Sequence, residues 1–345
     1  MSRHSVPGGD IASVLDRFRR LQTRAQERTG RSHPVIVIQE AGLDGFWIDR
    51  VLQREGCESH VVDAASIATS RRRRRAKTDK LDGEALVRAL LAHKRGEPRV
   101  CSMVRAPTAE EEDRRRVGRE RRALMVERVQ HVNRIKGLLF AQGIYNYEPM
   151  RDVRGEKLQT LLTGDGRPLP RHLLMQLRRE LERLALVLDQ IKTVEAERDR
   201  MVATARESGR SEPVAMLLDL RGIGPEAAEV LWSEGLFRRF DNRRQLAAYA
   251  GLAPTPWQSG SVEHEQGVSK AGNPRLRTVM LQVAWLWLRH QPDSALARWF
   301  EHRVERSGGR QRKTAIVALA RKLLVAIWRY VTAGVVIEGA AHKHA

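Results

Sequence analysis

The sequence predicts an α/β domain at the N-terminus, followed by a helical middle region and a mainly helical C-terminal domain. Strand and helix signals alternate over residues 10–105, which is typical of α/β domains with at least partly parallel strands. Strand signals are missing from residues 108–205, and helix signals dominate residues 212–345. We therefore place the domains at residues 1–107, 108–208 and 209–345.

Composition indicates that the partner of this chain is a polyanion. The 345 residues include 62 Lys and Arg against 42 Asp and Glu, so the formal net charge is +20 and the pI is about 11.0. Such a charge favours binding to phosphate backbones over the chemistry of neutral metabolites. Hydrophobic residues make up 41% of the chain, which is enough for packed cores and excludes a disordered basic tail.

Two further features narrow the cellular setting. Cys57 and Cys101 are the only cysteines, which excludes a disulfide framework and a cysteine-rich zinc site and fits a reducing compartment. The N-terminus has no apolar signal region, and no run of 18 apolar residues occurs. We expect a soluble, intracellular protein with no membrane partner.

The N-terminal elements follow from local patterns. Apolar residues at helical spacing predict a first helix over residues 11–28, and the β-branched residues of HPVIVIQEAG, residues 33–42, predict a strand. A helix over residues 46–56 is stopped by a glycine, and a second strand follows over residues 58–66. Residues 77–93 then predict a helix with strong start signals.

The middle region, residues 108–205, predicts two long helices separated by the Gly/Pro-rich segment TGDGRPLP, residues 163–170. In the second helix, apolar residues step by 4, 3, 4 and 3 positions at Leu177, Leu181, Leu184, Leu188 and Ile191. This seam favours a helical hairpin or a coiled coil with a second copy of the chain. A single amphipathic helix on a core explains the pattern equally well.

The C-terminal domain contains a glycine-rich turn between helix signals. RGIGPEAAEVL, residues 221–231, resembles the hairpin of a helix-hairpin-helix, in which the amides of Gly222 and Gly224 grip a nucleic-acid backbone. A turn between two packed helices has the same pattern. Aromatic residues are only 5% of the chain, and Trp285 and Trp287 have the spacing of core residues, so base stacking is not indicated.

Three carboxylates stand where an α/β fold places functional groups. Glu40 follows a predicted buried strand, and side chains at such strand ends emerge at the edge of the sheet. Asp79 and Asp82 are three positions apart and share one face of a helix. Together the three can hold Mg²⁺, which prefers oxygen ligands, and two such ions can clamp a phosphodiester. As the simpler alternative, Thr78 and the acids form a helix cap that needs no metal.

Basic and small residues are predicted to contact a phosphate backbone in two places. The first is the run Arg71, Arg72, Arg73, Arg74 and Arg75 with Lys77, which lies beside the predicted metal-binding helix. The second is the loop GVSKAGNPRLR, residues 267–277, with Lys270, Arg275 and Arg277. Small residues in this loop let backbone amides approach an anion. A basic surface turn before a helix would look similar.

A candidate nucleophile lies in TPWQSGS, where Ser259 precedes Gly260 after a proline-rich turn. Because Gly260 permits unusual backbone angles, the serine hydroxyl can project from a tight loop and attack a phosphodiester. By itself, a Ser-Gly pair most often marks a turn. No adjacent residue is an obvious general base, since His264 lies five residues further on.

These motifs together resemble the insertion-sequence-110 family of transposases, which are DEDD-type recombinases guided by a bridge RNA. The first part of the resemblance is a strand ending in QEAG, followed by K-T-D-x-x-D at the start of a helix. The second part is the set RGIGPEAAEVL, RRFDNRRQLAAYAGLAPTPWQSG and SKAGNPRLR, in the same order and at similar spacing. The similarity covers roughly residues 33–340.

The resemblance implies a RuvC-like domain of the RNase H fold, a helical coiled-coil insertion and a C-terminal transposase domain. Glu40, Asp79 and Asp82 match the second, third and fourth acids of the family's metal-binding tetrad. The first acid, an Asp on an early strand, has no counterpart here. Asp10 looks like a loop residue or helix cap, and Asp16 lies within a helical pattern. We therefore expect an N-terminally shortened RNase H fold.

The same resemblance implies a function. Ser259 matches the family's nucleophilic serine, with Ser261 as the alternative, so the expected activity is cutting and rejoining of DNA by Mg²⁺- and serine-dependent transesterification. Expected partners are DNA, a bridge RNA and further copies of the chain in a dimer or tetramer, in the bacterial cytoplasm at the nucleoid. Two alternatives are an inactive, truncated transposase that only binds nucleic acid and a Holliday-junction-type nuclease, which needs no serine.

Overall fold

The chain forms two compact units. A computed structural model describes residues 4–42, 45–67, 79–97, 100–207, 212–259, 262–268 and 271–343. The N-terminal unit is Met1–Thr108 and the C-terminal unit is Ala109–Ala345. The predicted domain boundary between residues 208 and 209 lies outside the described residues. The division into three domains stays a prediction.

The N-terminal unit alternates helices and strands, as predicted. Its helices are α1 (Ile11–Thr29), α2 (Trp47–Arg54) and α3 (Asp79–Lys94), and its strands are β1 (Ile36–Glu40), β2 (Glu58–Val62) and β3 (Met103–Val104). Asp10 caps α1, because its carboxylate accepts a hydrogen bond from the Ser13 backbone N–H at 3.0 Å. The helix ends at Gly30 in the left-handed conformation.

The strands of this unit form one three-stranded sheet in the order β1-β2-β3. Strands β1 and β2 are parallel, with a register from Ile36 opposite Glu58 to Glu40 opposite Val62. This confirms the predicted parallel pair. Strand β3 was not predicted; it is two residues long and pairs antiparallel to β2. A sheet of this size fits an α/β unit, and the RuvC-like fold stays a prediction.

The C-terminal unit begins with a helical hairpin formed by α4 (Ala109–Phe140) and α5 (Arg171–Glu207). The predicted seam of α5 is buried in this hairpin: Leu177, Leu181 and Leu184 pack in one cluster with residues of α4 such as Leu139. The hairpin alternative is therefore confirmed within one chain. The coiled-coil contact with a second copy stays a prediction.

The connection between α4 and α5 is longer than the predicted break at residues 163–170. Helix α4 already ends at Phe140, and the connection runs over residues 141–170. Gly143, at φ 77°, lies so close to Gly164 that a Cβ on it would be 3.0 Å from the Gly164 Cα. The Gly164 N–H donates to the Gln142 carbonyl at 2.7 Å, so the connection folds back on itself.

The rest of the C-terminal unit is mainly helical around one core. Its elements are α6 (Pro213–Asp219), α7 (Pro225–Val230), a π-helical turn (Leu231–Leu236), α8 (Arg243–Tyr249), β4 (Pro254–Ser259), β5 (Val262–Val268), α9 (Pro274–His290), α10 (Ala295–Arg306) and α11 (Arg312–Ala333). The β4–β5 pair was not predicted, because Pro254 and Pro256 oppose a strand interpretation. Prolines are tolerated here because a two-stranded ribbon consists of edge strands only.

The sequence predicted that Trp285 and Trp287 are both core residues, and this was wrong for Trp285. Trp287 is fully buried and its Nε1–H donates to Ser294 Oγ at 2.8 Å, whereas Trp285 is 43% exposed. Two residues that are two positions apart lie on opposite sides of a helix, so they cannot share one buried face.

Among the described helices, none is both long and apolar enough to span a bilayer. Cys57 and Cys101 are both free thiols. Burial raises the pKa of each of them, so neither has the lowered pKa of a reactive thiolate.

Candidate active site

Glu40 ends strand β1 at the carboxyl edge of the sheet. The Ala41 N–H still donates to the Val62 carbonyl at 2.9 Å, so the parallel pairing with β2 continues past Glu40. Glu40 is exposed, and the strand before it is half-buried rather than fully buried as predicted. The sheet therefore holds the backbone of Glu40 in place while solvent reaches its side chain.

Helix α3 begins at Asp79 and packs against β1, so both predicted acids of this helix are in its first turn. Asp82 is half-buried. The basic run Arg71–Arg75, with Lys77, and the predicted cap Thr78 lie outside the described residues, as does the side chain of Asp79.

Sequence reasoning missed one further acid at the same sheet edge. Asp63 directly follows β2, and β1 and β2 are parallel, so Asp63 and Glu40 emerge at the same end of the sheet. Asp63 is exposed, and its N–H donates to the Ser102 carbonyl at 3.0 Å. The sequence contained the signal for this acid. VVD, residues 61–63, repeats the pattern of IQE, residues 38–40, in which an acid stands at the end of a predicted parallel strand.

The chemistry of these acids suits Mg²⁺, because carboxylate oxygens are its preferred protein ligands. Among the side chains that the structure describes, however, no three His, Cys, Asp or Glu residues come together in a group that could hold a metal ion. Glu40 and Asp82 lie on neighbouring elements, and Asp79 is the third member of the predicted set. The three-acid metal site stays a prediction.

Ser259 lies at the tip of a β-hairpin. It is the last residue of β4 and pairs with Val262, the first residue of β5. The pairing continues as Gln258 opposite Glu263 and Trp257 opposite His264. The alternative nucleophile Ser261 and the basic residue Lys270 both lie outside the described residues.

The base of this hairpin is closed by backbone contacts between its two ends. Gly272, at φ 134°, approaches the other end so closely that a Cβ on it would be 2.6 Å from Gly251 N and from Tyr249 O. The Asn273 N–H donates to the Tyr249 carbonyl at 2.7 Å. We call these contacts the hairpin clasp. Gly272 of the predicted phosphate loop thus serves the close packing of two backbones.

Asn273 links the clasp to helix α9 and to a buried acid. Its Oδ1 accepts from the backbone N–H groups of Arg275 and Leu276 at 3.0 and 3.1 Å, which caps α9. Its Nδ2 donates to Glu234 Oε2 at 3.0 Å. The Tyr249 hydroxyl donates to the Glu234 backbone carbonyl at 2.8 Å. Both ends of the hairpin are therefore bound to Glu234.

Two buried glutamates, Glu229 and Glu234, are neutralised by arginines from two helices. The Arg119 Nε–H and Nη2–H donate to Glu234 at 3.0 and 3.3 Å. The Arg275 guanidinium joins both acids, at 2.7 Å to Glu229 and 3.3 Å to Glu234. We call these four residues with Asn273 the buried charge cluster. Arg275 was predicted to contact phosphate, but only 13% of its side chain is exposed and its charge is used within the chain.

A π-helical turn holds Glu234 in this cluster. It spans Leu231–Leu236, directly after α7, and such turns recur at functional sites. The Arg115 Nε–H donates to the Ser233 carbonyl at 3.0 Å, and the Arg115 guanidinium lies over the Phe237 ring at 3.7 Å. The turn is therefore supported by α4 from outside.

The two glutamates have opposite pKa shifts. Burial raises the pKa of Glu229 above its usual value, although Arg275 and the Ser233 hydroxyl work against this. Burial also acts on Glu234, but the hydrogen bonds and charges of Arg119, Asn273 and Arg275 outweigh it and lower the pKa. The cluster therefore stabilises the charged form of Glu234.

The glycine turn at residues 221–224 packs on one side and is open on the other. Gly222, at φ 87°, faces α9, where a Cβ on it would be 3.3 Å from the Leu286 carbonyl. This favours the alternative of a turn between packed helices. A Cβ on Gly224 would meet no atom within 4 Å. Contact of this turn with a nucleic-acid backbone stays a prediction. Arg277 is half-buried, and its predicted contact with phosphate also stays a prediction.

Comparisons with known proteins agree on one family. A family model described as "Transposase IS116/IS110/IS902 family" matches residues 214–299, which include the hairpin and the clasp. The protein y4rJ of Sinorhizobium fredii, named as a transposase, is 67% identical over 350 residues, which cover 99% of this chain and 88% of that protein. The transposase for insertion sequence element IS1111A of Coxiella burnetii is 28% identical over 66% of this chain and 61% of its own length. The transposase for IS1328 of Yersinia enterocolitica is 26% identical over 64% of this chain and 63% of its own.

Proposed function

The chain belongs to the IS116/IS110/IS902 family of transposases, and on this premise we propose that it cuts and rejoins DNA strands of an insertion sequence with Ser259 as the nucleophile. One observation carries the proposal. Ser259 lies at the tip of a hairpin whose base is closed by the clasp and bound to a buried charge cluster, inside the segment that the family model matches. Such a base fixes the approach of a reacting group.

The proposed reaction is a transesterification. The Ser259 Oγ attacks a phosphorus atom of DNA and loses its proton; a phosphorus–oxygen bond to serine forms, and the bond to one deoxyribose oxygen breaks. That oxygen leaves with a proton. In the second step the hydroxyl of another strand attacks the same phosphorus, which releases serine unchanged. No oxidant or reductant is needed, because every bond broken is replaced by one of the same kind.

Mg²⁺ is proposed as the cofactor, held by Glu40, Asp79 and Asp82 as one or two ions. When bound, it would offset the negative charge that develops on the phosphate oxygens. The RuvC-like RNase H fold is proposed as the frame for these acids. Their own contribution is to place carboxylate oxygens at the end of β1 and in the first turn of α3.

Nucleic-acid partners and assembly complete the proposal. Arg71–Arg75, Lys77 and Lys270 are proposed to neutralise phosphates, consistent with the formal charge of +20. A bridge RNA, and a dimer or tetramer that combines acids and serine from different copies, are proposed on the family resemblance alone.

A second candidate is a protein that binds DNA without cutting it. The observation that favours it concerns the first acid of the tetrad: Asp10 caps α1 and Asp16 pairs with Arg20 at 2.8 Å within the same helix, so neither lies on a strand. The two candidates differ in one product, a covalent bond between protein and DNA, which only the serine mechanism forms.

The test is a strand-transfer assay on a supercoiled plasmid that carries the two ends of the element, with full-length chain and Mg²⁺. We expect Ser259→Ala to lose both the covalent protein–DNA adduct and the joined product, by at least about 10³-fold. Glu40→Gln and Asp82→Asn should lose them as well. Ser261→Ala is the matched control and should remain active.

Three results would contradict the proposal. Loss of the adduct in Ser261→Ala with activity retained in Ser259→Ala would move the nucleophile to Ser261. Plasmid cutting by Ser259→Ala would indicate a nuclease that uses water. A wild-type chain that binds the plasmid but neither cuts it nor forms an adduct would support the binding protein.

A further inference from the structure

Helices α10 and α11 present a surface whose positive charges have no acidic partner among the described residues. We call it the α10–α11 basic face and define it by Trp299, Arg303, Arg306, Lys322 and Arg329. The four cations are all exposed. None of them has an Asp or Glu oxygen within 4.0 Å in the part of the chain that the structure describes. This contrasts with the buried charge cluster, where every arginine is paired with a glutamate.

Trp299 brings cations from two helices together. The Lys322 Nζ of α11 lies 4.7 Å from the centroid of the Trp299 ring, and the Arg303 Cζ of α10 lies 6.0 Å from the same centroid. Attraction to the ring orients both side chains, but it does not neutralise them. Two like charges are therefore held close together on a half-buried aromatic residue.

The acids of these helices are placed away from this face. Arg303 and Arg306 are four and seven positions after Trp299, so all three lie on one side of α10. Glu301 and Glu305 are two and six positions after Trp299, which places them on the other side. Helix α11 has five Lys and Arg residues in its 22 positions and no Asp or Glu. Lys322 and Arg329 are seven positions apart and share a face.

This arrangement is unfavourable for the protein alone. Like charges that are not paired repel each other, and the effect is strongest where side chains are held in place. Folding itself does not require cations here. The inward side of α11 is apolar and contributes Leu319, Leu323 and Ile327 to the core. A polyanion is the partner that would turn this repulsion into attraction.

We propose that the α10–α11 basic face docks the phosphate backbone of duplex DNA without reading its sequence. Duplex DNA fits better than single-stranded nucleic acid, because single strands bind by stacking bases on free aromatic faces. The Trp299 ring is half-buried and already contacts two cations, so it offers no such platform. The inference rests on the proposed action on DNA, but it concerns binding and does not depend on Ser259.

The experiment measures binding in the absence of cutting. Full-length chain with Ser259→Ala is titrated, in EDTA, against a fluorescein-labelled 30-base-pair duplex of arbitrary sequence, and anisotropy is recorded at several KCl concentrations. The variant adds Arg303→Gln, Arg306→Gln and Lys322→Gln. Each lost phosphate contact reduces the slope of log K against log salt by about 0.9, so we expect a loss of roughly 2–3 units and binding at least about tenfold weaker.

A matched control removes the same charge elsewhere. Arg171, Arg179 and Arg200 are exposed on α5, and their triple replacement by Gln lowers the net charge equally. We expect this control to keep the salt slope of the parent. Circular dichroism checks folding, and if the first triple variant is unfolded, Lys322→Gln alone should still reduce the slope by about one unit.

Three outcomes would overturn the assignment. One is an unchanged slope in the α10–α11 variant, and another is an equal loss in the α5 control, which would indicate overall charge rather than docking. The third is weaker binding of a single-stranded 30-nucleotide RNA with unchanged binding of the duplex. Failure of the proposed function is separate: a wild-type chain that neither cuts the plasmid nor forms an adduct would still bind the duplex, and the α10–α11 variant would still lose salt slope.

Discussion

The two units hold their candidate catalytic residues in different ways. In the N-terminal unit, Glu40 is exposed at the end of a three-stranded sheet and Asp82 is half-buried in the first turn of a helix. In the C-terminal unit, the hairpin that carries Ser259 is closed by the clasp, and its base is bound to buried ion pairs. The backbone of Ser259 thus belongs to a hairpin whose base is held by contacts within the unit.

The cores of the two units explain this difference. Among the described residues, the buried apolar side chains of the N-terminal unit are Leu52, Val61, Val62, Ala89, Leu90 and Ala92. Helix α1 contributes no buried residue. The C-terminal unit has a continuous core from α6 to α11. If the proposed Mg²⁺ and DNA bind there, we expect them to order the acids, since their unit buries little surface to hold them rigid.

The largest expected effect on stability comes from Arg275→Met. The change leaves Glu229 buried beside no cation, which costs about 3–5 kcal/mol of unfolding free energy. Urea unfolding followed by tryptophan fluorescence measures it, because every tryptophan except Trp47 lies in the C-terminal unit. The control Arg179→Met, on the exposed face of α5, should cost less than about 0.5 kcal/mol. Equal effects of the two changes would show that the charge cluster does not fix the hairpin base.

The second prediction compares one buried leucine from each unit. Leu52 and Leu184 are both at most 1% exposed, and Leu→Ala at such sites costs about 2–5 kcal/mol. We expect Leu52→Ala to remove hydrogen-exchange protection from β1 and β2, because the small N-terminal core cannot absorb the loss. Leu184→Ala should lower the stability of the C-terminal unit but leave it folded.

Leu91→Ala is the matched control for this pair, since Leu91 is 52% exposed. It should leave hydrogen exchange in both units nearly unchanged. If Leu52→Ala behaves like Leu91→Ala, the N-terminal unit is more stable than its core suggests, and the comparison between the units fails.

The third prediction separates the two roles of Asn273. Asn273→Ala should cost about 1–2 kcal/mol, because it removes the cap of α9 and the bond to Glu234. Asn273→Asp keeps the cap acceptor but places a carboxylate against Glu234, so it should not restore stability. At Asn242, which caps α8, Asp should replace Asn with little loss. Thermal unfolding of the three variants decides, and rescue by Asp at position 273 would contradict the assigned link to Glu234.

The smallest expected effect is the pH dependence of the two buried glutamates. The lowered pKa of Glu234 means that its stabilisation is fully present above pH 4.5 and is lost as the pH falls through the folded-state pKa. The raised pKa of Glu229 has the opposite sign, so its contribution improves as the pH falls towards 4.5. Urea unfolding of wild type, Glu234→Gln and Glu229→Gln at several pH values around 4.5 measures the free energy of unfolding of each. The difference between wild type and Glu234→Gln and the difference between wild type and Glu229→Gln should change in opposite directions as the pH falls.

Local patterns predicted most of the N-terminal elements and the α4–α5 hairpin. Apolar periodicity and glycine stops placed α1, β1, α2, β2 and α3 correctly, because these signals depend on neighbours along the chain. The β4–β5 hairpin was missed because its prolines argue against strands, and its base is held by Gly251 and Gly272, residues that are far apart in the sequence. Asp63 was missed although its pattern matched that of Glu40.

The sequence by itself predicted a polyanionic partner, through a charge of +20, and determined the family, through motifs that retain their order and spacing. Only the tertiary structure decided which cations face solvent. Arg275, in a motif that indicated phosphate binding, is paired with Glu229, whereas Arg303 and Lys322, in no motif, have no acidic partner in the described part of the chain. The reason is physical: the availability of a charge depends on which acids folding brings within about 4 Å, and that distance is set by packing between helices rather than by neighbours in the sequence.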